Sequence, residues 1–401
     1  MMWLLFIAGV LSLALAAYLD WKQRSPLLML WPLNFLFFYL PLIVYWSYEE
    51  YHDYVMIEAL SYSIFCNLAY FLTAFLLTCV FKNSYLTVCG VNFESSKFKD
   101  YLILGAALSI PLIFLLNGVG VSQILSSTLS DKRELSSWYL ISILISSFLF
   151  PQIIYAIKNK KKFLIFLIVF VFLLVSLYFR SRSILVLMCL PAGYYIVRFT
   201  NFGIVKVLLL GGGAFLLSSV LKVIRYQGEL KEGLNVSNWG GAFMDVIKSL
   251  FASGDFSIVK VFLQMIPDCK TSSWCGTYSF VSKFFSNFGL SPETRTIEYT
   301  LYDNYVESGV GGSLHPTGYG FSYGDAGGYL GVLFFVGLAI FRIFINRFLM
   351  NSERNYAYLG YVMYFTLFFS RGSVYNSFML LGVALFMEAL ISTAKRMNQR
   401  V

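Results

Sequence analysis

Charge is scarce in this sequence. Asp, Glu, Lys and Arg make up 13% of 401 residues, against 58% hydrophobic residues and a mean hydropathy of +0.70. So few charges cannot cover the surface of water-soluble domains, which excludes an ordinary soluble protein of this length. Histidine is scarcer still, with only His52 and His315. The chain has no Walker loop, dinucleotide fingerprint, HExxH or paired CxxC, so ATP-driven and redox chemistry have no support and no cofactor is implied. A net charge of +9 would suit a nucleic-acid partner, but the Lys and Arg fall in short connections between apolar runs rather than in one basic domain. Membrane topology accounts for most of them, so nucleic acid is not an expected partner.

What is present is apolar sequence in membrane-length pieces. Runs near the length needed to cross a hydrocarbon core of ~30 Å cover residues 2–19, 26–46, 58–81, 101–118, 138–157, 163–179, 183–197, 203–223, 326–345, 356–369 and 375–393. The pattern predicts an all-α polytopic membrane protein with about eleven transmembrane helices. Residues 1–223 hold the first eight helices, 224–325 one long hydrophilic insertion, and 326–401 the last three helices and a tail. The small residues 14–17 resemble a cleavage site, yet no positive side chain precedes the first run while Lys22 and Arg24 follow it. A retained helix with its N-terminus outside is therefore expected.

The connections alternate in charge. Lys22 with Arg24, Lys97 with Lys99, Lys158 with Lys160 to Lys162, Arg342 with Arg347, and the basic tail 395–400 mark one side as cytoplasmic. The opposite connections carry Glu49, Glu50 and Asp53, then Asp131 to Glu134, and eight Lys/Arg against ten Asp/Glu between Lys222 and Asp325. The long insertion is thus expected to face outward and the C-terminus inward. Of the six cysteines only Cys269 and Cys275 fall in that insertion, where a disulfide would fit an oxidising compartment such as a periplasm.

Two short outward turns break the charge pattern. Residues 178–183 read YFRSRS and residues 369–373 read FSRGS, with no acidic partner, and Arg225 ends the eighth run on the same side. Arginine at this depth carries a desolvation cost and marks a polar cavity with a bound anion, snorkelling to lipid headgroups, or an ion pair with a loop carboxylate. Guanidinium forks bind phosphate oxygens in pairs, so converging Arg180, Arg182, Arg225 and Arg371 would suit a pyrophosphate, with Arg295 in reserve.

Within the insertion, residues 242–266 have apolar positions at helical spacing with Asp245, Lys248, Asp255 and Lys260 between them, predicting an amphipathic helix packed on the bundle or the membrane. Residues 308–328, SGVGGSLHPTGYGFSYGDAGG, are so rich in Gly and polar groups that a buried helix is not expected there. The segment has the parts of a carbohydrate site: Tyr319 and Tyr323 to stack on sugar rings, and His315 to titrate near neutral pH. Asp325 would cap the ninth helix or orient an acceptor hydroxyl. The turn 48–54, YEEYHDY, offers Glu49, Glu50, His52 and Asp53 as metal ligands, but its spacing matches no metal motif and it reads as an acidic outward connection.

The RSRS turn, the outward insertion before the last three helices, the HPTGYGFSYGDAGGYLG approach to the ninth and the late FFSRGS turn together resemble the O-antigen polymerases, the Wzy family, over residues 179–378. Arg182 to Gly193 and Arg371 to Gly382 also fit a spacing of Arg, ten residues, then Gly described in that family. The resemblance implies a glycosyltransferase of lipopolysaccharide biosynthesis in the bacterial inner membrane that joins oligosaccharide repeat units on undecaprenyl pyrophosphate at the periplasmic face. It also implies a chain-length-regulating co-polymerase of the Wzz type as a partner. On that view the arginines stabilise the leaving pyrophosphate, His315 takes the acceptor proton, inversion follows from a single displacement, and no metal is needed. An O-antigen ligase using the same donor, and a flippase of the lipid-linked oligosaccharide, are the competing readings; a flippase would be expected to show internal repeats and cations along a central cavity.

Overall fold

A computed structural model describes residues 2–23, 25–47, 51–81, 97–118, 136–179, 190–191, 193–194, 258–287, 289–292, 294–306, 313–349, 355–379, 381–382 and 384–386. Among them the protein is all-helical, and six helices are long and apolar enough to cross a membrane: Met2–Lys22, Pro26–Trp46, Asp53–Val80, Lys97–Leu116, Ile141–Lys158 and Tyr329–Arg347. Two shorter apolar helices, Lys162–Ser176 and Val374–Phe386, accompany them. The expected runs at 183–197 and 203–223 lie essentially outside the described residues, as do Arg180, Arg182 and Arg225. The chain divides into two compact units: Met1–Leu86, Ser237–Arg347 and Phe365–Gly382 form the first, and Thr87–Val236, Phe348–Tyr364 and Val383–Val401 the second.

The second unit contains α4 (Lys97–Leu116), α5 (Ser136–Leu149), α6 (Gln152–Lys158) and α7 (Lys162–Phe179). Pro151 has no N–H to continue α5 and separates it from α6. Asp100 fastens the basic end of the unit, accepting hydrogen bonds from the Tyr155 hydroxyl at 3.0 Å and from Lys161. Lys99 lies over the same tyrosine ring, 4.2 Å from its centroid.

In the first unit α1 (Met2–Lys22) and α3 (Asp53–Val80) pack side by side, and α12 (Val332–Phe344) packs on α3. Between α1 and α3 in sequence, α2 is a continuous helical run over Pro26–Met29, Leu30–Asn34, Phe35–Tyr39 and Leu40–Ser47. Ser25 caps its start and Pro26 occupies the first position, where a missing N–H costs nothing. Its middle loosens into a π turn, the Leu40 amide reaching back to Phe35 just before Pro41.

Short helices complete this unit: α8 (Ile258–Asp268), α9 (Ser279–Asn287), α10 (Ile297–Tyr305) and α11 (Thr317–Ala326). The end of α13 (Asn355–Arg371) and the start of α14 (Val374–Phe386) also belong here. Within the expected amphipathic segment, α8 buries Val259, Phe262, Leu263 and Ile266 on one face and packs against α3 and α11; residues 242–257 lie outside the described residues.

Two expectations fail here for physical reasons. Arg342 is not a loop cation: it is buried in the last turn of α12 and pairs with Asp20 of α1, while also donating to Gln23. Trp31 Nε1 and the Tyr70 hydroxyl donate to the same carboxylate, at 2.7 and 2.9 Å, so both charges of this buried pair are answered by partners. The Gly- and Tyr-rich stretch does form a buried helix, since all ten residues of α11 are buried. Its glycines serve close packing: a Cβ on Gly320 would stand 2.9 Å from Phe262, and one on Gly324 2.6 Å from the Met265 sulfur. Its hydroxyls bond to neighbours, Tyr319 to Asn67 at 2.8 Å, Ser322 with Tyr62 at 2.8 Å and Tyr323 to Glu58 at 2.5 Å. Because Asn67 lies midway along α3 and Glu58 near its start, α11 runs antiparallel to α3 with its amino end at mid-helix.

Candidate functional site

The amino end of α11 holds one of the positive-φ non-glycine residues among the described residues. Thr317 has φ of +68°, a region that a β-branched residue rarely enters, and is almost fully buried. Its hydroxyl accepts the Gly320 N–H at 3.1 Å and so caps the helix it begins. Gly372 (φ +90°) holds this geometry from outside: a Cβ there would meet the Thr317 carbonyl oxygen at 2.6 Å and Pro316 Cδ at 2.9 Å. One on Gly318 would meet the Phe369 carbonyl oxygen at 2.7 Å. Residues 369–373 are thus seated on 316–318, and two segments singled out in the sequence meet, although α12 and most of α13 separate them in the chain.

The turn itself is set by backbone hydrogen bonds from Gly372 to Phe369 (3.0 Å) and from Ser373 to Phe368 (2.9 Å). Arg371, half-buried, is the residue before the docked glycine, and its guanidinium carbon lies 5.7 Å from the Phe368 ring centroid. His315, also half-buried, precedes Pro316, and the Leu314 amide next to it donates to the Glu298 carbonyl at 2.9 Å. Arg371 and His315 thus each lie next in sequence to residues that meet at the amino end of α11.

The remaining sequence candidates are placed elsewhere. Tyr319 and Tyr323 are buried and their hydroxyls occupied, Tyr319 lying flat on Phe335 with centroids 5.3 Å apart. Asp325 is a cap, but of α9: it accepts from Ser279 Oγ and from the Phe280 amide at 3.2 Å. Burial raises its pKa, opposed by those donors. Eight residues of helix at ~1.5 Å each put it roughly 12 Å along α11 from Thr317. Arg295 is exposed and paired with Asp303 at 3.2 Å. Cys269 and Cys275 are joined, with Cα atoms 5.3 Å apart. Of the acidic turn, residues 48–50 lie outside the described residues and His52 stacks on Tyr54 with centroids 5.9 Å apart. A Cβ on Gly193 or Gly382 would meet nothing within 4 Å, so neither member of the Arg-to-Gly spacing is required by sterics.

Sequence reasoning missed Glu298, 3% exposed in the first turn of α10, whose carboxyl is pushed up to about 7 chiefly by burial. Its Oε2 has no hydrogen-bond partner among the described residues. The four-residue spacing of Ile297 and Leu301 in α10 was the available signal that this turn faces inward. It also missed the pairing of Glu58 with Lys270 at 2.8 Å, which no local pattern announces across 212 positions. No family model, curated protein or solved structure matches the chain.

Proposed function

We propose that this chain is a glycan polymerase of the bacterial inner membrane, of the O-antigen polymerase kind, that joins undecaprenyl-pyrophosphate-linked repeat units. The observation that carries this reading is the seating of the 369–373 turn on residues 316–318, which sets Arg371 beside the amino end of the buried α11. In the proposed topology about eleven helices cross the membrane, the N-terminus lies outside and the C-terminus in the cytoplasm. The insertion with its Cys269–Cys275 bond faces the periplasm, and α11 dips from that side and returns to it.

The chemistry follows from the groups at hand. An acceptor hydroxyl of one repeat attacks the anomeric carbon of the growing glycan; the new C–O bond forms as the bond to pyrophosphate breaks. Negative charge grows on the departing pyrophosphate, where the guanidinium of Arg371 opposes it; Arg180, Arg182 and Arg225, which lie outside the described residues, are proposed for the same role. His315 accepts the acceptor proton. A co-polymerase that sets chain length is the expected protein partner.

The test is complementation of a deletion strain with Arg371→Gln. Removing one charge-stabilising donor is expected to cut elongation by about 100-fold or more, leaving lipopolysaccharide capped with a single repeat and protein levels unchanged. An unaltered ladder of chain lengths defeats the proposal. So does loss of every capped form with glycan stranded on its carrier, which is the outcome for a ligase.

A further inference from the structure

With Tyr319 and Tyr323 committed to packing, the sugar needs another surface, and one is present at the outer rim of the same unit. Glu58, in the second turn of α3, accepts the Tyr323 hydroxyl on one carboxylate oxygen at 2.5 Å and Lys270 on the other at 2.8 Å. Lys270 also stands 5.5 Å from the centroid of Tyr54. Tyr329 closes the group, edge-on to Tyr62 at 5.7 Å and to Tyr323 at 6.4 Å. Tyr54 and Tyr329 are 50% and 46% exposed, and neither hydroxyl has a hydrogen bond among the described residues.

The rim is held firmly. Lys270 follows Cys269 in the disulfide ring, and the segment leaving that ring is docked on the carboxyl end of α11 by hydrogen bonds from Gly276 to the Gly324 carbonyl and from Tyr278 to the Asp325 carbonyl, both 2.9 Å. Gly276 and Gly327 meet backbone to backbone, with a Cβ on Gly327 only 3.0 Å from Gly276 Cα.

We propose that Tyr54, Glu58, Lys270 and Tyr329 form a saccharide subsite that takes one neutral pyranose of the lipid-linked repeat. Exposed tyrosine rings offer faces to the C–H side of a sugar, and two free phenol groups offer hydrogen bonds. The ammonium retains N–H groups and the carboxylate retains lone pairs beyond those they share, so the pair presents a donor and an acceptor side by side, as vicinal hydroxyls require. Because Glu58 neutralises Lys270, the pair itself leaves no unpaired cation to hold a lipid phosphate, which favours an uncharged ligand. The subsite rests on the polymerase reading for the origin of its sugar.

Saturation-transfer NMR tests it on the full chain purified in deuterated detergent, with methyl glycosides of glucose, galactose, rhamnose and N-acetylglucosamine as probes. Transfer to the ring C–H protons of at least one glycoside is expected. It should drop about fivefold in Tyr54→Ala and Tyr329→Ala and fall less in Tyr329→Phe, which keeps the ring face. Lys270→Met, on an exposed side chain, is a second variant expected to weaken transfer with the fold intact. Absence of transfer for all four probes, or equal transfer in all variants, overturns the subsite. Loss of long chains in Arg371→Gln without glycoside transfer would leave the polymerase reading standing and remove the subsite; transfer with an unchanged ladder would do the reverse.

Discussion

Glu298 sets a pH dependence of known sign. Its carboxyl titrates near 7 in the fold against an ordinary 4.5, so between those values the unfolded chain gives up a proton that the folded one keeps. Stability is fully present below the lower value, declines as pH rises through the window, and is lower by ~3 kcal/mol above it. Glu298→Gln should flatten that decline in a thermal melt followed by tryptophan fluorescence from about pH 5 to pH 8; a parent protein already flat over that range would contradict the buried carboxyl. Glycine gives a second residue-level contrast. Gly318→Ala and Gly372→Ala drive a methyl into backbone at 2.7 and 2.6 Å and should each cost about 1–3 kcal/mol, lowering the melting temperature and, under the proposed function, removing long glycan chains. Gly382→Ala, which meets open space, should do neither.

At the scale of elements, the junction of α1, α2, α3 and α12 is fastened by one buried ion pair and its donors. Asp20→Asn or Arg342→Met strands the remaining charge and should cost about 3–5 kcal/mol, whereas the paired Asp20→Leu with Arg342→Met should recover much of that loss in the same melting assay. Neither partner was legible as such. Arg342 resembles a topology marker because it follows an apolar run, and its carboxylate lies 322 positions away at the far end of another helix. The long helices were legible, since a run of apolar side chains long enough to cross hydrocarbon is itself the signal; α1, α2 and α3 extend the expected runs by a few residues at most. Helix α11 was hidden by the converse effect. Gly318, Gly320, Gly324, Tyr319 and Tyr323 read as loop residues when solvent is assumed, and become helix formers only where small residues admit neighbouring backbone and every hydroxyl meets a partner. The docking of Arg371's turn on Pro316 and Thr317 was half visible: both segments stood out, one for its lone cation and one for His315, but their contact depends on packing that no local pattern encodes.

For the molecule as a whole, orientation can be read through its cysteines. Cys269 and Cys275 are joined, while Cys66 is buried in α3 and Cys79 is exposed near its opposite end. In intact spheroplasts an impermeant maleimide should label neither Cys269 nor Cys275 until they are reduced, and then both. Cys79 should react only after the membrane is opened. Labelling of the pair only after permeabilisation would invert the proposed topology. The same experiment touches the rim, because Lys270 lies within the ring that reduction opens.

The socket that receives the amino end of α11 is made partly from Phe369 and Gly372, which the ribosome delivers well after Thr317–Ala326 has been synthesised. With its Gly and Tyr residues, α11 gains little from lipid alone, so its final seat exists only once the last helices have entered. Translation order thus delays the seating of α11 until residues 369–372 have been made, and a chain ending before them carries α3 and α12 but not this socket.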